Sequence, residues 1–304
     1  MKLLSVVFAA TLAFASLSPV LAQGRLDKIK DSGQVTLGYR ESSIPFSYLD
    51  GEQRPVGYSM DICYAIVDAV KAHLGLPELN VRQVPVTSST RIPLVANGTV
   101  DMTCGSATNN AQRQEQVSFA PTTFVTATRF AALKASGFKD LADLKGKTVV
   151  STAGTSNLRW LTQANAEQNL GLRIITAKDH SEAFLMVSSG RAAAFFMDDI
   201  LLAGLVANSR YADDWVISQK AYTIEPYGII LPRNDPEFKA VVDAAVKALM
   251  QDGRLDALYK KWFLQPIPPR NINMNWPMTP ELQRVIQNPT DSPDPAAYTL
   301  PAAG

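Results

Sequence analysis

The sequence predicts an α/β fold of two lobes around a cleft. Apolar runs of strand length alternate with helical patterns twice along the chain, and the two alternations are joined by one extended segment over residues 124–133. A third section, from about residue 223, is too small to fold alone and must pack on one of the lobes. Two lobes that share crossing strands leave a cleft between them, with a hinge at its base.

The first residues predict a secretory signal peptide. Lys2 precedes an apolar run over residues 3–17, Pro19 breaks that run, and Val20 and Ala22 are the small residues of a cleavage site. The run is too short to span a bilayer comfortably. We therefore expect residues 1–22 to be removed after Ala22 and the mature chain to be exported.

The charge balance excludes several classes of partner. The chain has 29 basic and 28 acidic residues, and Lys2 is the only charge before residue 23, so the mature chain is formally neutral. A neutral chain has no bulk positive field, which argues against nucleic acid or an anionic membrane as the main partner. Two cysteines cannot form a four-thiolate zinc site, and in an exported chain they favour one disulfide or two buried thiols.

The elements of the first lobe follow in order. Strands are predicted over residues 35–39, 81–86 and 100–104, with a helix over 59–74 whose isoleucines and valines recur every four residues and a second helix from Arg91. This is the order of a parallel α/β unit.

The same order is repeated in the second lobe. Strands are predicted near residues 148–151, 172–176 and 192–197, and each is followed by a helix. The third section adds an extended segment and two helices, over 235–251 and 254–263, and the Pro-rich end predicts a mobile tail. The predicted division is lobe 1 over 23–127 and 223–285, lobe 2 over 128–222, and a flexible tail over 286–304.

Polar side chains follow the carboxyl ends of the predicted strands, where ligands bind in open α/β sheets. Guanidinium groups and helix N-termini there favour carboxylate or phosphate, and an aspartate opposite them favours an ammonium. The candidate ligand-binding residues are Arg40, Ser88, Arg91, Ser106, Thr108, Arg113, Thr155, Ser156, His180 and Asp198.

Each of these residues also has an ordinary structural interpretation. An arginine at a strand end is often a solvated surface group, and a hydroxyl before a helix is often only an N-cap. Asp198 could cap the helix that follows it. No common catalytic motif is present, and the chain has only His73 and His180, so no catalytic residue, metal or cofactor is predicted.

The chain resembles the periplasmic solute-binding proteins of ABC amino-acid importers (family 3), in particular their glutamate/aspartate-binding branch. The resemblance covers about residues 24–286, and Lys-Trp-Phe at 261–263 belongs to it. Its most specific runs are Arg40-Glu-Ser-Ser-Ile-Pro-Phe-Ser-Tyr48, Thr87-Ser-Ser-Thr-Arg-Ile-Pro-Leu94, Cys104-Gly-Ser-Ala-Thr-Asn-Asn110 and Ala177-Lys-Asp-His180. The resemblance implies the type II periplasmic-binding-protein fold, in which each lobe is a mostly parallel sheet flanked by helices and the ligand lies between the lobes.

The resemblance also implies a role for each candidate residue. Arg113 and Thr108, with Thr155 or Ser156, would bind the ligand α-carboxylate. Asp198 and Ser106 would bind the α-ammonium group, and the side-chain carboxylate would be bound by Arg40, Ser88, Arg91 and His180. A disulfide between Cys63 and Cys104 is a further hypothesis, which the exported context favours.

The expected function is therefore capture of L-glutamate or L-aspartate, with glutamine or asparagine bound more weakly, by a monomer that delivers its ligand to an ABC permease. Two alternatives stay open from sequence. One is an enzyme on the same fold, such as a cyclohexadienyl or arogenate-type dehydratase, with His180 or Asp198 as its general acid or base. The other is a receptor for a sensor kinase.

Overall fold

The computed structural model describes residues 24–299. The predicted signal peptide and its cleavage site at Ala22 lie outside the described residues. Within residues 24–299 the strands form two five-stranded sheets, a two-stranded pair and a three-stranded meander. The predicted α/β class is confirmed.

The strands and helices alternate in the order that the sequence predicts. The strands are β1 (Gln34–Tyr39), β2 (Ser42–Ser43), β3 (Ser47–Leu49), β4 (Pro55–Val56), β5 (Asn80–Pro85), β6 (Met102–Cys104), β7 (Val117–Phe119), β8 (Phe124–Thr126), β9 (Thr128–Leu133), β10 (Thr148–Thr152), β11 (Arg173–Ala177), β12 (Ala194–Asp198), β13 (Trp215–Ile217), β14 (Glu225–Tyr227) and β15 (Ile230–Pro232). The helices are α1 (Arg25–Ser32), α2 (Tyr58–His73), α3 (Arg91–Ala96), α4 (Ala111–Gln114), α5 (Ser156–Glu167), α6 (His180–Ser188), α7 (Asp199–Ala207), α8 (Pro236–Gln251), α9 (Arg254–Phe263) and α10 (Pro280–Gln287).

The two sheets are mixed rather than mostly parallel. The first has the order β5-β1-β6-β15-β7 and the second β11-β10-β12-β9-β13. In the first sheet β1 is parallel to β5 and β6, but β15 is antiparallel to its neighbours; in the second, β9 is antiparallel to β12 and β13. β9 and β15 follow the crossing between the sheets and enter their sheets from the opposite direction.

Two crossing strands connect the sheets. β8 leads into β9, β14 leads into β15, and β8 and β14 pair antiparallel with each other. The first sheet is therefore built from strands that come before and after the second sheet along the chain. The exact lobe bounds, 23–127, 128–222 and 223–285, remain a prediction.

An aromatic cluster joins the crossing strands to the helices of the first lobe. Phe124 of β8 stacks on Phe263 of α9 with 5.0 Å between ring centroids, and Tyr227 of β14 contacts Phe46. Tyr259 and Phe263 are fully buried. The aromatic residues of α9 therefore belong to the core, which fixes one end of the crossing.

The predicted disulfide is confirmed. Cys63 of α2 is bonded to Cys104 at the end of β6, and both residues are fully buried. The bond ties α2 to the strand that leads directly into Ser106 and Thr108.

Residues 288–299, which belong to the predicted flexible tail over 286–304, pack against the rest of the structure. Tyr298 is fully buried, its hydroxyl is 2.9 Å from the Thr122 Oγ1, and Val125 of β8 packs in the same apolar cluster. The Asp291 carboxylate lies 2.8 Å from the Lys239 ammonium. The Pro- and Ala-rich composition concealed these partners because they are more than fifty residues away in sequence. Residues 300–304 lie outside the described part of the chain.

The helices between residues 24 and 299 include none that is both long and apolar enough to cross a membrane.

Candidate functional site

A narrow cavity lies between the two sheets. The space open to the centre of a water-sized sphere is about 10 Å³, which is room for about one water in this closed arrangement. Eight of the ten predicted site residues line it. The lining residues are Ser88, Arg91, Ser106, Thr108, Thr155, Ser156, Asn157, His180, Met197, Asp198 and Leu201.

Arg91 is the cation that the first sheet presents to the cavity. It is the first residue of α3, and its guanidinium donates from Nη1 to the Ser106 carbonyl at 2.7 Å. The side chain is buried. Because this bond fixes one edge of the planar guanidinium group, the other edge faces the cavity in a fixed orientation.

Arg40 and Arg113 lie next to the cavity rather than among its lining residues. Arg40 follows β1 and is buried; its aliphatic stem packs so closely on Gly105 that a Cβ there would lie 2.9 Å from the Arg40 Cγ. Arg113 is also buried and donates to two carbonyls, Thr108 at 2.7 Å and Gly154 at 3.2 Å. The Arg113 guanidinium is thus held by backbone carbonyls, whereas Arg40 is positioned by the packing of its stem.

The N-terminus of α5 forms the opposite wall. Thr155 is the N-cap, and its Oγ1 accepts from the Leu158 N–H at 3.1 Å. The capping interpretation of Thr155 is therefore correct, and the same residue also lines the cavity. Ser156, the first residue of α5, lines the cavity as well, so this wall is the first turn of a helix, the end that favours an anion.

His180 is the first residue of α6 and is buried. Its Nδ1 lies 2.8 Å from the Thr152 Oγ1. The hydroxyl fixes the ring, so that Nε2 is left to face the cavity. Burial, followed by the neighbouring guanidinium groups of Arg40 and Arg91, lowers the pKa of His180 well below its ordinary value, and the imidazole is neutral at pH 7.

Asp198 ends β12 at the cavity. Its carboxylate accepts from the Asn157 Nδ2 at 2.7 Å and from the Tyr227 hydroxyl, and it makes no side-chain cap bond to α7 within the described chain. Asp199 instead accepts from the Ile200 N–H at 2.8 Å. Burial and then the charge of Glu225 raise the pKa of Asp198 to about 7, so this buried carboxyl is poised for a cationic partner.

Five site residues carry a buried polar atom that has no hydrogen-bond partner among residues 24–299. Such atoms are costly and rare in folded proteins. They are the Arg40 Nη1, Ser88 Oγ, Arg91 Nε, Ser106 Oγ and His180 Nε2. The orphaned groups are mainly donors, and a ligand that supplies acceptors would satisfy them.

Positive charge dominates this site. Burial is the first cause that lowers the pKa of Arg91 and Arg113, and mutual repulsion among the guanidinium groups adds to it for Arg91. Burial likewise lowers the pKa of Arg40, to about 10. The arginines stay protonated at pH 7, and their mutual repulsion favours an anion between them.

Direct contacts close the cleft. The Thr108 and Ser156 hydroxyl oxygens are 3.1 Å apart across it. On one side Gly154 lies against Ser89, where a Cβ would be 2.6 Å from the Ser89 Cα, and on the other Gly204 lies against Ile44. The structure is therefore a closed form.

Sequence reasoning missed Asn157, Met197 and Leu201 in the lining. Asn157 is the second residue of α5, and its side chain bridges Asp198 to the Thr128 hydroxyl at 2.7 Å. Its position in the first turn of α5 was the available signal. Met197 and Leu201 carried none, because apolar residues in a strand and a helix are expected to be core.

The described residues, 24–299, contain no cluster of three His, Cys, Asp or Glu side chains that could hold a metal ion.

A closed two-sheet α/β protein with a charged cavity between its lobes is the architecture of a small-solute binding protein, and comparisons with known proteins agree. Residues 35–265 match the family model described as "Bacterial extracellular solute-binding proteins, family 3". The chain belongs to this family.

Named relatives and a solved structure are similar over most of the chain. The L-glutamate/L-aspartate-binding protein of Pseudomonas aeruginosa is 50% identical, over 95% of this chain and 96% of its own. The glutamate/aspartate import solute-binding protein of Salmonella typhimurium is 47% identical, over 93% of each chain. A crystal structure of a mutant ArgBP from T. maritima superposes with a TM-score of 0.70 at 26% identity, over 78% of this chain and 98% of that one.

These likenesses confirm the type II two-lobed fold. The named relatives are transport solute-binding proteins rather than enzymes, which decides against the dehydratase alternative.

Proposed function

We propose that this chain is the solute-binding component of an ABC importer for L-glutamate and L-aspartate. One observation carries the proposal. The four residues expected to bind a side-chain carboxylate, Arg40, Ser88, Arg91 and His180, each have a buried polar atom without a partner in residues 24–299. A second carboxylate needs these groups, because a buried carboxylate without partners is very costly.

The remaining groups fit the α-amino-acid end of the ligand. Arg113 and Thr108 bind the α-carboxylate, and Thr155 and Ser156 assist at the start of α5. Asp198, held by Asn157 and Tyr227, and the Ser106 hydroxyl bind the α-ammonium group. The names of the Pseudomonas aeruginosa and Salmonella typhimurium relatives support the same ligands.

The cellular setting is part of this proposal. The chain is exported by the signal peptide over residues 1–22, is cleaved near Ala22 and works in the periplasm as a monomer. Closure around the ligand favours one state of the protein, and this state is recognised by the transmembrane permease subunits.

Calorimetry with a panel of amino acids tests the proposal. We expect tight binding of L-glutamate and L-aspartate, weaker binding of glutamine and asparagine, and none of arginine or leucine. Tight binding of arginine or leucine without glutamate would contradict it.

A further inference from the structure

Glu225 is a buried carboxylate that lies beside the cavity but does not line it. It begins β14, one of the two crossing strands, and is 4% exposed. Its Oε2 accepts from the Ser156 hydroxyl at 2.8 Å, and its Oε1 accepts from the Thr223 hydroxyl at 2.7 Å. Neither partner is a cation; the charge of Glu225 acts instead on Arg113, where it partly offsets the lowering of the Arg113 pKa by burial. A buried carboxylate held only by hydroxyls calls for a reason.

Glu225 bonds to Ser156, which together with Thr108 separates the ligand cavity from solvent. Thr108 and Ser156 line the narrow cavity and also a wider groove, which Glu225 lines as well. The Thr108–Ser156 contact across the cleft therefore separates the two spaces, and Glu225 holds Ser156 from the groove side.

Glu225 also completes the charge balance of the site. Three buried arginines, Arg40, Arg91 and Arg113, are opposed by two buried carboxylates, Asp198 and Glu225. Nearby Asp199 is paired with Arg129 at 3.1 Å and adds no net charge. Glu41, Asp179 and Arg159 act on these arginines from more exposed positions, where solvent screens their charges. With Asp198 ionised, as it is opposite a ligand ammonium, the closed site has an excess of one positive charge, which a ligand of net charge −1 neutralises.

We infer that Glu225 is a specificity-determining residue, which sets the ligand charge that the closed site accepts and holds Ser156 in the contact that closes it. The inference rests on the proposed function, because it takes an acidic amino acid as the ligand. Glu225 acts through its charge and through Ser156, not by contact with the ligand.

The variant Glu225→Gln keeps the shape and an oxygen acceptor for Ser156 but removes the charge. The excess then becomes two, so the ratio of glutamate affinity to glutamine affinity should rise, by roughly five- to tenfold for a charge at this range in a protein interior. The unliganded variant should melt at a lower temperature, because the arginines repel more strongly, and glutamate should raise its melting temperature by more than in the wild type.

The pH profile gives a second readout. Tyr227 and Glu225 of β14, Asn157 of α5 and Asp199 of α7 surround Asp198, and Arg91 of α3 and Arg113 of α4 act on it electrostatically. The charge of Glu225 is the largest contribution from a neighbouring carboxylate to the raised pKa of Asp198. Without it, the loss of glutamate affinity on acidification should begin at lower pH. A merely structural role for Glu225 would leave this profile unmoved.

Thr223→Val is the matched control. It removes the hydroxyl that donates to the Glu225 Oε1 and leaves the charge, so the affinity ratio and the pH profile should stay as in the wild type. Equal losses of glutamate and glutamine affinity in Glu225→Gln would overturn the inference.

Binding measurements on the wild-type protein distinguish failure of the proposed function from failure of this inference. A wild type that binds neither acidic amino acid contradicts the proposed function; a wild type that binds glutamate, with an unchanged ratio in Glu225→Gln, contradicts only the inference. If Glu225→Gln does not fold, the ¹³C shift of the wild-type Glu225 carboxyl reports its charge directly, and a protonated carboxyl at neutral pH would overturn the inference.

Discussion

At the scale of single residues, function depends on donors that the protein leaves unsatisfied. Arg91 donates from Nη1 to the Ser106 carbonyl, and its Nε has no partner among residues 24–299. His180 uses Nδ1 on Thr152 and leaves Nε2. Because orphaned donors cost free energy, the empty closed site is unfavourable and the ligand relieves that cost.

Arg91→Ala should weaken glutamate binding by about 2–4 kcal/mol, because it removes a charge-assisted bond to a buried carboxylate. Glutamine should lose less. Calorimetry on both ligands measures the difference. Arg82→Ala is the control, since Arg82 is an exposed arginine on the edge strand β5. A similar loss in both variants would contradict the role of Arg91.

Asp198 makes binding depend on pH. Burial and Glu225 raise its pKa to about 7 in the unliganded protein, whereas a ligand ammonium favours the ionised form. Binding therefore releases a proton, and affinity should fall as the pH falls through about 7. The neutral His180, whose pKa is lowered, does not titrate in this range.

Calorimetry from about pH 8 down to about pH 5.5, in buffers of different ionisation enthalpy, measures both the affinity and the proton release. Asp198→Asn should bind weakly and show a flat profile over this range. A flat wild-type profile would contradict the assignment of Asp198 to the ammonium group.

At the scale of elements, the C-terminal segment stabilises the crossing strands. Residues 288–299 reach the crossing by way of Tyr298, which packs with Val125 of β8 and contacts Thr122. Thr122 also donates its N–H to the Thr290 carbonyl at 2.8 Å. The segment therefore adds core to the crossing strands that connect the sheets.

Tyr298→Ala should lower the free energy of unfolding by about 3 kcal/mol, as for other buried aromatic residues. Urea unfolding measures the loss. Tyr211→Ala is the control, because Tyr211 is 61% exposed and its removal should change stability little. Equal stability of the Tyr298→Ala variant and the wild type would mean that the segment is free in solution.

At the scale of the whole molecule, the closed form depends on close backbone approach between the lobes. The Cβ of any residue at 204 would lie 2.7 Å from the Ile44 carbonyl oxygen. Gly204 lies in α7 and does not line the cavity. Larger side chains here should oppose closure without touching the ligand.

A series of Gly204→Ala and Gly204→Val should show graded losses of glutamate affinity, roughly tenfold for the larger side chain, because the closed state is disfavoured. Small-angle scattering should find a larger radius of gyration for the liganded valine variant than for the liganded wild type. Equal affinities across the series would show that this contact does not limit closure.

The sequence by itself determined the elements and most of the site. Helical and strand periodicity arise from local side-chain spacing, so β1, α2 and α8 could be predicted to within about two residues. Polar residues at strand ends identified eight of the eleven cavity-lining residues, because the carboxyl ends of neighbouring strands meet at one edge of a sheet.

Only the tertiary structure decided the contacts between distant residues. Tyr227 reaches Asp198, Ser156 reaches Glu225 and Tyr298 reaches Thr122 across 29, 69 and 176 residues of sequence. Strand direction was also settled there, since β9 and β15 run antiparallel to neighbours after the crossing. These contacts and strand directions have one physical reason. Burial and hydrogen bonding depend on which distant segments pack together, and local sequence patterns do not contain that information.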